Sequence, residues 1–402
     1  MYKRFKKAGS SVLYALAFVV MGASLGLLFS MGQERLLKGG EGSSTGDPKR
    51  ARGAALPSDS TSSPWTPVTQ TVADSSGPRV VGRWAGITSA VAADRQIVYR
   101  GDWWEMEVVI LSDSETTIME KGQVPFLNNS IIEGITLSDG YAYVAEDGFT
   151  PNGAPVEYYM LRVVDIHSSA DPRTIGSLDV EGDPRSIAVS GSHAYVAGDH
   201  GLRVFNVSDP ARPRAVKVFN NKIRDIAVQD ERAYLTDDTG LQVLDVSSPT
   251  TPRKIGNLSL NGTAANLTVA GEYAYVAVNN QEGDRNAGGT SHGLRIVDLS
   301  VPTAPRSVAA FDTPGPVSEV ALERGQAYIT HAACSSGDPE CLQVIDVTSP
   351  AKPQSSDVLP LHGAHGSDAV GKIGIVDLDV AGGYLYLAGM HAGMVVVKLP
   401  SE

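Results

Sequence analysis

The chain has 402 residues, 42% of them hydrophobic and 19% charged, with a net charge of −12. The Lys, Arg, Asp and Glu of residues 1–77 sum to +4, so the remainder carries −16, a balance that argues against nucleic acid as a partner. The apolar content excludes a disordered chain, and only two cysteines exclude a disulfide-dense mini-domain.

Lys3, Arg4, Lys6 and Lys7 precede a charge-free apolar stretch from Val12 to Met31. At helical rise such a stretch crosses the ~30 Å hydrocarbon layer of a bilayer. The basic cluster holds its own end in the cytoplasm, which predicts a signal anchor over residues 1–38 with one transmembrane helix at about 12–31. The chain is then a single-pass protein of a bacterial inner membrane, with everything after Gly39 in the periplasm or on the outer side. A cleaved signal peptide is the alternative, although its best small-residue site, near Ala23, is buried inside the apolar run. Gly22 and Gly26 form a GxxxG pair through which two anchors could dimerise.

Residues 39–77 are rich in Gly, Ser, Thr and Pro without periodic apolar pattern, the composition of a flexible tether. From residue 78 to 402 one degenerate unit recurs. Its copies, in chain order, start at ITSAVAADRQIVYR, at EGITLSDGYAYVA (Glu133), at DPRSIAVSGSHAYVAGDHGLRVFNVSDPARPRAVKVF (Asp183), and at IRDIAVQDERAYLTDDTGLQVLDV (Ile223). Further copies start at ANLTVAGEYAYVA (Ala265), at SEVALERGQAYIT (Ser318) and at VDLDVAGGYLYLAG near the end. Each reads as four short strands separated by turns, and no run longer than about ten residues shows helical period.

Asp165, Asn206, Asp245, Asp298 and Asp346 close the third strand, and in most copies a Ser or Thr and two prolines follow. Their side-chain oxygens are placed to accept backbone N–H groups in the turn to strand four, a structural role. A four-strand period of about 40–55 residues predicts an all-β, seven-bladed β-propeller. The last copy ends after its third strand, while PRVVGRWAG from Pro78 matches the fourth-strand segments PRTIGSL and PRKIGNL. The N-terminal strand is therefore predicted to close the last blade.

Leu161-Arg-Val-Val-Asp165, Leu241-Gln-Val-Leu-Asp245, Leu294-Arg-Ile-Val-Asp298 and Leu342-Gln-Val-Ile-Asp346 resemble the LVIVD repeat of bacterial and archaeal surface or secreted proteins. The resemblance extends over residues 78–399, and departs from the pattern in the first and last copies, where Ile110 and Lys398 replace the Asp. It implies an extracytoplasmic propeller and brings no settled activity.

Three constellations carry possible chemistry. Of eight histidines, His331, His362, His365 and His391 fall in loops of the last two blades on the face that carries the longest loops. With Glu319 and Asp377 they form a candidate divalent-metal shell, set against the plainer reading of solvated loop histidines. The aligned first-strand positions Ala90, Gly134, Ser186, Asp225, Asn266, Glu319 and Asp377 put polar groups of Asp225, Asn266, Glu319 and Asp377 at the channel mouth. There they either hold a cation or water or merely cap strand starts. Trp103, Trp104, Tyr158 and Tyr159 suit partner or glycan contact, or packing of long loops on one another.

Cys334 and Cys341, in CSSGDPEC, form a disulfide in an oxidising compartment. No nucleophile elbow or phosphate loop appears. The pattern favours a membrane-anchored binding or scaffold protein for an envelope protein or glycan. The alternative is a metal-dependent periplasmic enzyme with a His and acid site at the channel mouth of blades 6 and 7.

Overall fold

The computed structural model describes residues 65–67, 77–102, 105–112, 118–125, 130–149, 155–219, 221–279, 292–332, 334, 340–361, 374–389 and 393–400. The expected transmembrane helix lies outside the described residues, among which no helix is long and apolar enough to cross a membrane. The propeller is the unit made of Pro64–Gly148 and Glu157–Glu402.

Two strands precede the blades, β1 (Trp65–Pro67) and β2 (Arg79–Trp84). Blade 1 comprises β3 (Ala90–Asp94), β4 (Ile97–Gly101), β5 (Glu105–Leu111) and β6 (Ile118–Pro125); blade 2 comprises β7 (Ser130–Ser138), β8 (Tyr141–Phe149), β9 (Pro155–Asp165) and β10 (Arg173–Val180). Blade 3 is β11 (Pro184–Ser190), β12 (His193–Gly198), β13 (Gly201–Asn206) and β14 (Arg214–Phe219); blade 4 is β15 (Asp225–Gln229), β16 (Arg232–Thr236), β17 (Gly240–Asp245) and β18 (Arg253–Ser259). Blade 5 holds β19 (Thr263–Ala270), β20 (Tyr273–Asn279), β21 (His292–Asp298) and β22 (Arg306–Thr313); blade 6 holds β23 (Val317–Glu323), β24 (Gln326–Ala332), β25 (Glu340–Asp346) and β26 (Gln354–Pro360). Blade 7 contributes β27 (Ile375–Ala381), β28 (Tyr384–Gly389) and β29 (Gly393–Lys398), and takes its fourth strand from β2.

All seven sheets are antiparallel meanders, and each first strand packs beside the next, with β27 on β3 completing the ring. The closure expected from the repeat is present: Arg79 pairs with Lys398, Val80 with Val397 and Trp84 with Met394. The segment read as a tether adds something the repeat does not foretell. Trp65 pairs with Trp84 and Pro67 with Gly82, so β1 makes a fifth strand on the rim of blade 7.

The core is not a single centre but a set of apolar layers between neighbouring blades. Val91, Val98, Val109 and Trp84 pack on Tyr386 and Val396 between blades 1 and 7, and Ala277, Leu294 and Ile296 pack on Val320 and Ile329 between blades 5 and 6. The strand pattern explains this, because residues of the central strands alternate between the two neighbours and both faces must be apolar. In the outer strands, Gly176 and Gly256 leave room for the next blade's proline turn: a Cβ there would lie 2.4 Å from the Pro210 carbonyl oxygen and 2.1 Å from that of Pro302. The turn acids act as anticipated. Asp165 accepts the His167 N–H at 3.0 Å, Asn206 that of Ser208 at 3.0 Å, Asp298 that of Ser300 at 2.8 Å and Asp346 that of Thr348 at 2.9 Å. The Cys334–Cys341 disulfide is formed, with the two Cα atoms 5.7 Å apart.

Candidate functional site at the channel mouth

The first strand of every blade presents one edge to the channel, where its N–H and C=O groups have no neighbouring strand to pair with. The start of this strand is irregular in five blades. The pairing register slips between Ile132 and Gly134, Pro184 and Ser186, Ala264 and Asn266, Val317 and Val320, and Ile375 and Asp377. A bulge re-aims side chains, and here it turns Glu133, Arg185 and Ala265 toward the axis beside the aligned positions.

Gly134, Ser186, Asp225, Asn266, Glu319 and Asp377 all line one cavity of about 200 Å³ at the mouth. Of the seven aligned positions, only Ala90 is not part of this lining. A second cavity, of about 350 Å³, is lined by β3, β7 and β27 and shares Asp377 with the first.

Several of these polar groups bond to the inner edge of the next blade. Asp225 accepts the Leu267 N–H at 2.7 Å, the Ile226 N–H at 2.8 Å and the Ser186 hydroxyl at 2.6 Å. Asn266 accepts the Val320 N–H at 3.0 Å. At the seam between the last and first blades, Asp377 accepts the Val91 N–H at 2.8 Å and Asp379 that of Ala93 at 2.7 Å. The choice left open by the sequence thus has a further answer: Asp225, Asp377 and Asp379 each bond an N–H of their own strand and also satisfy the inner edge of the neighbouring blade, and Asn266 satisfies that edge as well.

The charge at the mouth is mixed. Glu133, Asp225, Glu319 and Asp377 gather on the axis, while Arg185 bridges Asp199 at 2.5 Å and Arg224 bridges Asp238 at 2.6 Å. Burial raises the proton affinity of the acids. Glu133 is pushed up to about 8, with Asp147 and Asp183 adding to the effect and Arg185 opposing it. Burial likewise takes Asp377 to about 7 and Asp379 to about 6, and holds Glu319 well above the ordinary carboxylate range, aided by Asp377 and Asp225. A site of this kind suits polar or charged groups brought in from the loop-rich face and offers no apolar pocket.

The candidate metal shell is divided by the structure. Glu319 and Asp377 share the mouth cavity. His331 is 1% exposed and is not part of that lining; it lies on β24 two positions from Ile329, which packs against blade 5. His362, His365 and His391 lie outside the described residues, as do Trp103 and Trp104. Tyr158 belongs to β9, and Tyr159 on the same strand is half-buried and pairs with Val180.

Two clusters were not singled out by sequence. Asp102, Glu105 and Glu107 bring carboxylate oxygens within 4.8 Å of one another beside the buried Arg100, whose Nε is 3.0 Å from Glu107. Inside blade 2, Glu146 (1% exposed) accepts hydrogen bonds from Arg162 and, at 3.2 Å, from the Ser130 hydroxyl. Three strands of that blade, β7, β8 and β9, are longer than any strand of the other blades.

Residues 181–221, 222–259 and 261–282 match the family model "LVIVD repeat". The chain carries LVIVD repeats. No curated protein matches it. Among solved structures, a chain of a mitotic checkpoint complex aligns with a TM-score of 0.59 at 9% identity, covering 90% of this chain and 99% of the other. The RRP9 WD40 repeats align at 0.58 and 12%, covering 80% and 97%. The computationally designed Ika8 protein aligns at 0.51 and 11%, covering 79% and 98%. At these identities the likeness establishes the propeller fold alone. The chain shares its architecture with these propellers.

Proposed function

We propose that this chain is a membrane-anchored, extracytoplasmic binding or scaffold protein that offers the loop-rich face of its propeller to an envelope protein or glycan. The observation that carries the reading is the channel mouth. Polar and charged groups from six blades converge there on one cavity, on a frame whose apolar surface is already used between blades. A ring with a charged centre holds its surface groups in fixed positions, which suits recognition. The basic N-terminus followed by the Val12–Met31 apolar run supports the anchor and the outward orientation.

The test combines topology with capture. A reporter active only outside the cytoplasm, fused after residue 77, should be active, and the mature chain should retain its N-terminal segment. In-cell crosslinking of the full-length chain should recover partners that are lost in Arg224→Glu, at the mouth, and kept in Val218→Glu, on the outer rim. An inactive reporter or a soluble form beginning near Ser24 overturns the anchor. Partners insensitive to Arg224→Glu overturn the choice of face.

A further inference from the structure

The buried side-chain polar atoms left without a hydrogen-bond partner among the described residues include one imidazole nitrogen. His331 donates from Nδ1 to the carbonyl of Ala332 at 2.9 Å, which fixes the ring and leaves Nε2 as the lone-pair nitrogen. Nε2 is buried and has no hydrogen-bond partner among the described residues. An imidazole nitrogen left bare in the interior forgoes about 1–3 kcal/mol, and such a group calls for a reason.

Its neighbour supplies one. His331 of β24 lies directly opposite Cys341 of β25 in the antiparallel register. Directly opposed residues project from the same face, with Cβ atoms about 4.5–5.5 Å apart. Cys341 is fully buried, and Cys334, joined to it by the disulfide, is 8% exposed.

We propose that this corner of blade 6 is a redox-gated metal site: when the disulfide is reduced, Cys334 Sγ, Cys341 Sγ and His331 Nε2 bind a thiophilic divalent cation of the zinc type. The balance is simple. A dithiol reductant attacks the disulfide, the S–S bond breaks, two electrons and two protons pass to the cysteines, and the reductant becomes a disulfide. Both thiols then lose their protons to solvent as the cation binds.

Two thiolates, a neutral imidazole and a doubly positive ion sum to zero charge, which is the condition for placing an ion in so buried a position. Two sulfurs and one imidazole nitrogen make a set that zinc accepts, with a fourth position left for water. A ligand imidazole oriented by a backbone carbonyl through its other nitrogen is the usual arrangement at such sites. In the oxidised chain the sulfurs bear no charge and are poor ligands, so the site is closed. This site is separate from the channel mouth and does not depend on the binding role proposed above.

Cobalt(II) is the probe, because thiolate ligation gives it a near-ultraviolet charge-transfer band that carboxylate sites such as the Asp102 cluster cannot produce. The full-length chain should bind cobalt with that band after reduction by a dithiol and removal of the reductant, and not before. His331→Gln, with its fold checked by circular dichroism, should weaken the cobalt affinity by about tenfold or more, at least what loss of an outer-shell partner costs. Cys334→Ser should lose the band while keeping the propeller spectrum. The proposal is overturned if the reduced wild type shows no thiolate band, or if His331→Gln keeps both band and affinity.

Discussion

Replacing Trp84 by Ala probes the strand that closes the ring. Trp84 is 4% exposed, pairs with Met394 of the last strand, and packs in the layer that joins blade 7 to blade 1. Large-to-small substitution of a buried Trp costs about 3–5 kcal/mol. The Arg100 guanidinium, 6.0 Å from the indole centroid, adds roughly 0.5–1 kcal/mol that is lost with the ring. Against a typical total of about 5–15 kcal/mol this is roughly a quarter or more of the stability. Because the seam is the one place where the ring is not continued along the chain, the loss should be felt everywhere. Urea titration by circular dichroism should show one transition at a markedly lower midpoint. Amide exchange should accelerate in blades 3 and 4, opposite the seam, as well as in β2 and β29. Val218→Ala, on a side chain 42% exposed, is the control and should stay within about 0.5 kcal/mol. A Trp84→Ala shift of less than about 1 kcal/mol, or exchange confined to blade 7, would refute the closure argument.

Stability should depend on pH in opposite senses for two sets of acids. The channel acids bind protons more tightly when folded, Glu133 up to about 8, Asp377 to about 7 and Asp379 to about 6, so stability falls as pH rises from about 4 toward 8. The turn acid Asp298, held at about 2 by hydrogen bonds from Ser300, gives stability that is present above about 4 and lost as pH falls toward 2. Urea midpoints should therefore be highest near pH 4–5; a higher midpoint at pH 8 than at pH 5 would contradict this. Glu146→Gln leaves the Arg162 guanidinium, in a side chain 10% exposed, without its buried counter-charge and should cost about 3–5 kcal/mol by urea titration. A cost under about 1 kcal/mol would mean that water reaches the pair.

Blade number, closure and turn acids were legible because each is a local pattern repeated along the chain: one acid, one turn, one strand length. What the sequence hid depends on register or on partners distant in sequence. Asp377 bonds to Val91 across 286 residues, and neither site resembles a motif. The bulges depend on where the second strand meets the first, which hydrophobic alternation does not specify. Trp65–Pro67 is too short and too polar in its setting to read as a strand, and becomes one because β2 offers it an edge. For the histidines, loop position placed His331 on the right face of the disc, but strand alternation decides that it turns toward blade 5 and away from the channel.

The channel mouth follows from a general difficulty of the architecture. Seven first strands converge on an axis too wide for their edges to pair, and buried N–H groups need acceptors. An apolar filling would leave them bare, so the lining takes Asp and Asn where it bonds to the next blade. Each acceptor must sit at the same height on its strand, which buries the acids close together; burial raises their proton affinity, and at Glu319 and Asp377 the neighbouring acids add to it. Glu319 bonds no strand edge among the described residues, and Glu133 is turned inward by a bulge. These two exceed what the frame requires, and they face the loop-rich side where the proposed partner would arrive.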